Sequence, residues 1–236
     1  MTSDPTRREA TLRQYDILDT APEQSFDDLT QLTSFICNTP IAMVSLLDTR
    51  RQWFKARIGV DDSETPIEQS FCAEAINHDG VFTVHDASQD EHFKNYPNVT
   101  GGPHIRFYAG SPLVSPEGVA IGTLCAIDRV PRQLSPEQSD ALAALSRQVM
   151  RTMELRRTVN ALQTALLEIA AAKKEIDDLQ GILPMCCYCR KVRDDANYWQ
   201  NVEDYLSNHT DMRFSHGFCP DCEARARQEM GLAPKK

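Results

Sequence analysis

Apolar positions change their period along this chain, and each period predicts a different element. Phe26, Leu29, Leu32, Phe35 and Ile36 recur at helical spacing, which predicts an amphipathic helix whose apolar stripe faces a core. It is preceded by Thr20-Ala-Pro-Glu23, a hydroxyl followed three residues later by a carboxylate, with proline in the first turn. The same start signal recurs in Thr65-Pro-Ile-Glu68, predicting a short helix from Pro66 to about His78, and in Ser135-Pro-Glu-Gln138. Between these starts the period shortens. Ile41 to Leu47 is apolar on both alternating faces, as in a central strand covered on each side, and Gln52 to Ile58 alternates like its hairpin partner. Val81 to Val84 is a further short strand, and Ile105 to Val114 and Val119 to Asp128 are two more, joined by a Pro116-Glu117-Gly118 turn. Hairpin strands interleaved with helices predict an α+β sheet domain over residues 1–150.

From Ser135 the pattern becomes one long helix. Leu155, Leu162, Ile169, Ile176 and Leu183 recur every seventh residue, and Thr158, Ala165, Ala172 and Leu179 form a second, weaker row. A sustained seven-residue repeat is a coiled-coil seam, so residues 151–183 are expected to pair two chains in a homodimer. The alternative is an amphipathic helix folding back on its own sheet. A helix from Ser135 to Gln180 would be about 68 Å long and outrun the domain, which favours the seam.

In the last segment, 184–236, Cys186-x-x-Cys189 and Cys219-x-x-Cys222 form two paired-thiol knuckles. That pattern predicts a structural Zn²⁺ held by Cys186, Cys189, Cys219 and Cys222 in a small zinc-ribbon-like module, because four thiolates satisfy the ion and leave no open position for catalysis. Cys187 and His216 are further candidate ligands, and a disulfide, a redox-active pair or unliganded cysteines remain the alternatives. Tyr198, Trp199, Val202, Tyr205 and Leu206 supply apolar support at helical spacing.

Composition narrows the function. The chain has 236 residues, a formal net charge of −9 and a pI near 5.2, which argues against nucleic-acid binding. Eight cysteines with no apolar leader and no run long enough to span a membrane indicate a reducing, cytoplasmic setting. No Ser-His-Asp set, phosphate loop or paired carboxylates are visible, so the expectation is a protein without catalytic activity.

The segments YDILDTAPEQSFDDLTQL, PIAMVSLLDTRRQWFKARIG, SFCAEAI, VHDASQDEHFKNYPNVTGGPHIRFYAGSPL and GTLCAIDRVPRQLSPEQSDAL resemble bacterial GAF domains, which are found in front of kinases and cyclic-dinucleotide enzymes. The resemblance implies a central antiparallel sheet with helices on one face and a small-molecule pocket or regulatory surface on the other. This sequence departs from the family's cyclic-nucleotide signature, and Cys72, followed by Ala73 and Glu74, lacks a bilin-attachment setting. In that fold the polar loop from Asp86 to Gly110 covers the ligand face, which makes Asp86, Phe93, Arg106 and Tyr108 candidate ligand-binding residues. Pairing of Asp86 or Asp90 with Arg106, merely tying the loop down, is the plainer alternative. Cys72 and Cys125, each between apolar neighbours, read as core packing. The tail resembles a cysteine-bearing module at the C-termini of bacterial PAS, GAF and receiver proteins. Together these expectations describe a cytoplasmic signal-transduction sensor, non-catalytic, with an unknown small-molecule ligand and an unknown protein partner. The alternatives are a redox or metal sensor built on the tail thiolates, or a GAF-fold thioether-oxide reductase.

Overall fold

A computed structural model describes residues 4–180, 183–194 and 196–232, without the side chains of residues 177–180. Residues up to Ala165 form one compact unit and those from Leu166 a second. The first is built on a six-stranded, wholly antiparallel sheet. Its strands are β1 (Ile41–Leu47), β2 (Arg51–Ile58), β3 (Glu64–Pro66), β4 (Phe82–Val84), β5 (Phe107–Val114) and β6 (Ala120–Asp128), in the order β3-β2-β1-β6-β5-β4. Both neighbours of β1 pair with it closely: a Cβ on Gly122 of β6 would lie 2.0 Å from the Ser45 carbonyl oxygen, so only glycine fits there.

Alternation along the strands creates two separate cores. Val44, Leu46, Trp53, Phe107, Leu113 and Leu124 face the helices α1 (Pro5–Tyr15), α2 (Gln24–Cys37) and α5 (Pro136–Gln180). Met43, Leu47, Phe54, Tyr108, Cys125 and Ile127 face the short helices α3 (Phe71–Ala75) and α4 (Pro97–Thr100) and the intervening loop. A sheet covered on both faces is what β1 demands, every residue of which is buried and all but Ser45 apolar.

Two of the expected helix starts are corrected. Helix α2 begins at Gln24 with no side-chain cap, and Thr20 instead donates its hydroxyl to Ile17 O. Thr65 lies in β3, and the following helix is capped by Ser70, whose Oγ accepts from Ala73 N. The third holds: Ser135 Oγ accepts from Gln138 N while Gln138 Oε1 accepts from Ser135 N, a reciprocal box that opens α5. The buried face of α2 also differs from expectation. Phe26, Thr30, Thr33 and Cys37 point inward, whereas Phe35 is 82 % exposed and Leu32 is exposed as well.

Helix α5 is 45 residues long and changes character along its length. Leu142, Val149 and Met153 are buried against the sheet, so its first part belongs to the domain core. From Leu155 onward the apolar residues Leu155, Leu162, Leu166, Ile169 and Ile176 are exposed. Leu183 follows the helix end, and the side chain of Leu179 lies outside the described residues. No helix among the described residues is long and apolar enough to cross a membrane.

The second unit contains a two-stranded ribbon, β7 (Val192–Arg193) and β8 (Trp199–Gln200), and the helices α6 (Val202–His209) and α7 (Pro220–Glu229). Its one buried apolar side chain among the described residues is Val192.

Candidate functional site

A cavity of about 80 Å³ opens on the sheet face opposite the long helices. Ile41 and Met43 of β1, Gln52 and Phe54 of β2, Tyr108 of β5 and Ile127 of β6 form its floor, and Ser70, Phe71, Cys72, Asn98 and Ile105 close over it. At roughly 10–15 Å³ per water, that space holds several waters or a ligand of comparably few atoms. Asn98 holds the wall in place by donating Nδ2 to Gln69 O at 2.9 Å, and its Oδ1 is buried with no partner among the described residues. A ligand N–H or O–H is the complement that this acceptor lacks. Gln52 is fixed from the side by the Ser70 hydroxyl, which donates to its Oε1. Two larger depressions, about 180 and 460 Å³, lie beside His78, Asp79, Pro112 and Val114, without a buried unpartnered atom among the described residues.

Tyr108 runs along its own strand across Gly110, where a Cβ would meet the phenol oxygen at 2.2 Å. The absence of a side chain at Gly110 therefore lets the hydroxyl reach Cys72, to which it donates at 3.3 Å. Phe71 stacks on Tyr108, with centroids 5.2 Å apart, and on Phe93 at 4.3 Å. Cys72 Sγ also lies 4.0 Å from Cys125 Sγ. Burial opposes charge on Cys72, yet the polar groups gathered around it, Cys125, Thr123, Tyr108 and Ser45, outweigh burial and depress that thiol. Cys125 moves the other way, pushed well up by burial and then by its charged neighbour.

Of the four residues expected to bind ligand, Tyr108 alone lines the cavity. Phe93 is buried behind Phe71. Arg106 donates Nη1 to Val99 O and Ile105 O, while Asp86 accepts from Ser88 and Asp90 from the backbone of His92 and Phe93. The expected pairing of Arg106 with Asp86 or Asp90 is thus replaced by local turns, because each group finds a partner within its own loop. Cys72, expected as core packing, is buried in the core and also lines the cavity, as do Asn98 and Gln52, which were not among the expected ligand residues. A short polar side chain inside an apolar run was the available signal, as in Ser45 and Thr123.

On the reverse face, the sheet is tied to α5 by a buried cation. Lys55, next to the cavity residue Phe54 on β2, has no side-chain exposure. Its Nζ donates to Thr20 Oγ1 and Ala21 O at 2.8 Å and to Glu23 Oε1 at 2.7 Å. The same carboxylate oxygen accepts from Arg156 Nε of α5 at 2.9 Å, and Arg156 Nη1 also donates to Tyr15 O and Asp16 O. Burial tends to raise the Glu23 carboxyl, but the two cations win and hold it below the usual range.

Residues 21–153 match the family model for the GAF domain. The chain belongs to the GAF family. The cyclic di-GMP phosphodiesterase PA2567 of Pseudomonas aeruginosa is 42 % identical over 158 residues, a match covering 66 % of this chain and 27 % of that protein. Among solved structures, the GAF domain of a phosphoenolpyruvate-protein phosphotransferase from Coxiella burnetii superposes with a TM-score of 0.51 at 13 % identity, covering 67 % of this chain and 99 % of that one. The bacteriophytochrome RpBphP3 of R. palustris gives 0.53 at 10 % identity, covering 72 % and 41 %. At such identities these two speak for the fold alone.

The phosphodiesterase match corrects the expectation of a non-catalytic, non-enzymatic sensor, because the relative sharing this GAF region is an enzyme. In the tail, the expected zinc ligands come together two by two. The backbone N–H groups of Cys189 and Tyr188 and the Cys189 thiol lower the Cys186 thiol, and the Cys222 backbone and thiol lower Cys219. This donor chemistry suits a thiophilic ion, although no group of three or more candidate ligands is gathered among the described residues. His216 instead faces Glu203 at 3.6 Å.

Proposed function

We propose that this chain acts in cyclic di-GMP turnover, with its GAF domain setting the rate of phosphodiester hydrolysis according to what occupies the cavity. The observation that carries the reading is the cavity beside Asn98 and Tyr108, whose floor strand β2 bears Lys55 on its other side. The link to cyclic di-GMP is supported by the likeness to a phosphodiesterase of that dinucleotide. The cavity itself suits a small effector.

An effector that wedges Phe54 or Gln52 alters the seat of Lys55, and Glu23 relays that change to Arg156 on α5. The effector acts only through a difference in affinity between the two arrangements. The exposed row Leu155, Leu162, Ile169 and Ile176 fits a second copy of this chain, because its seven-residue spacing meets an identical row in a two-stranded seam. In the same proposal one zinc ion per chain is held by Cys186, Cys189, Cys219 and Cys222, with support from the two preformed pairs.

Cellular cyclic di-GMP after expression of the wild-type chain and of Ile127→Trp, which fills the cavity floor, tests the reading. Different levels at equal protein abundance are expected. Equal levels would remove the link between cavity and turnover.

A further inference from the structure

Cys72 forms part of the cavity wall, while Cys125 sits directly behind it and is closed off from the cavity. Both are essentially without solvent exposure. The two side chains come from elements far apart in sequence, α3 and β6, and meet because Cys125 lies on the cavity face of the sheet. Hydroxyl groups converge on the outer sulfur. Tyr108 donates to it, and Ser45 and Thr123, cross-strand partners on β1 and β6, lie completely buried beside it. Ser45 Oγ and Thr123 Oγ1 have no conventional hydrogen-bond partner among the described residues. Two buried, unpartnered hydroxyls beside a sulfur are poorly matched to a neutral thiol, which is a weak acceptor, and well matched to a thiolate.

We propose that Cys72 and Cys125 form an oxidant-sensing dithiol, with Cys72 as the nucleophile toward a hydroperoxide entering the cavity and Cys125 as the thiol that resolves it. Hydrogen peroxide is little larger than water, and the cavity admits several waters. The Cys72 sulfur attacks one peroxide oxygen, the O–O bond breaks, and the departing oxygen leaves as water with the proton formerly on the Cys72 thiol. The Cys125 sulfur then attacks the Cys72 sulfenic acid. Its S–O bond breaks, a second water carries off the Cys125 proton, and an S–S bond remains. Two thiols are oxidised by two electrons and one peroxide is reduced to two waters. The depressed Cys72 thiol and the raised Cys125 thiol agree with this division of roles. Closing the sulfurs from 4.0 Å to a disulfide length of about 2.05 Å draws α3 toward β6 and reshapes the cavity roof.

The proposal rests on the cavity assigned above as the sensing site, although not on its coupling to cyclic di-GMP. The full chain, reduced and then treated with a few equivalents of hydrogen peroxide, is digested with trypsin without reductant and mapped by mass spectrometry. The expected product is a linked pair of peptides, 58–94 and 107–129, each of which contains one cysteine. In Tyr108→Phe, which loses one donor, the pH profile of linkage should shift upward by roughly one unit. In Cys125→Ser a dimedone adduct should accumulate on Cys72. Free Cys72 and Cys125 in the wild type under conditions that oxidise the tail thiols would overturn the proposal. Linkage that leaves cellular cyclic di-GMP unchanged would instead keep the dithiol and sink the regulatory reading, and inert thiols with an active Ile127→Trp effect would do the reverse.

Discussion

Replacing Glu23 by Gln tests whether Lys55, Glu23 and Arg156 form one network between sheet and helix. Glu23 Oε1 accepts from both cations, at 2.7 Å from Lys55 and 2.9 Å from Arg156. Hydrogen bonds to charged groups contribute about 1.5–3 kcal/mol each, but the Glu23 side chain is 36 % exposed, so solvent screening reduces the two together to about 2 kcal/mol. Lys55→Met costs a similar amount, roughly 2 kcal/mol, because Thr20 Oγ1 and Ala21 O lose their donor and the carboxylate loses one cation. Once Lys55 is gone, the neutral amide introduced by Glu23→Gln leaves no buried ammonium short of its counter-charge, so the double variant should cost about 1–2 kcal/mol less than the sum of the singles. The assay is urea unfolding of the full chain in a Trp199→Phe background, where emission reports the buried Trp53 of the GAF core. For a domain of this size, 2 kcal/mol corresponds to a drop in Tm of roughly 4–8 °C. The pH dependence has a fixed sign. The folded-state pKa of Glu23 is depressed, so the wild-type advantage over Glu23→Gln is full above the unfolded value of about 4.3 and disappears as pH falls through the folded pKa. Additivity within about 0.4 kcal/mol, or a gap that persists at low pH, would refute the network.

Three further outcomes are expected. Gly110→Ala pushes the Tyr108 hydroxyl off Cys72, costing about 1–3 kcal/mol by overpacking and shifting the pH profile of Cys72 alkylation upward; an unchanged profile would show that the phenol does not stabilise the thiolate. Leu162→Lys places a charge in the exposed seven-residue row and should convert dimer to monomer by light scattering, leaving the Trp53 transition unmoved; an intact dimer would move the interface elsewhere. Protein purified without chelator should carry about one zinc per chain by elemental analysis, and Cys186→Ser with Cys219→Ser should carry none. Chelation should then speed proteolysis between residues 190 and 227 without changing the GAF core, and metal-free wild type would discard the zinc assignment.

Local patterning carried much of the fold. The apolar runs of β1, β2, β5 and β6, the reciprocal box at Ser135 and the long helix behind it are written in neighbouring residues, where capping and alternation operate over a few positions. The motifs resembling GAF domains likewise lay in order along the chain, and Tyr108, expected on the face opposite the helices, lines the cavity there. The inward side of α2 was not. Period gave the spacing of its apolar residues, but Thr30 and Thr33 are buried while Phe35 is exposed, because the sheet decides which stripe it covers. Thr20 was read as a cap although its hydroxyl serves Ile17 O, a local turn, and Lys55, which only folding brings near. The thiol site lay equally out of reach. Cys72 and Cys125 each look like packing among apolar neighbours. What sets them apart is antiparallel register, which places Ser45 opposite Thr123 and aims Tyr108 across the bare Gly110, so that donors distant in sequence converge on one sulfur.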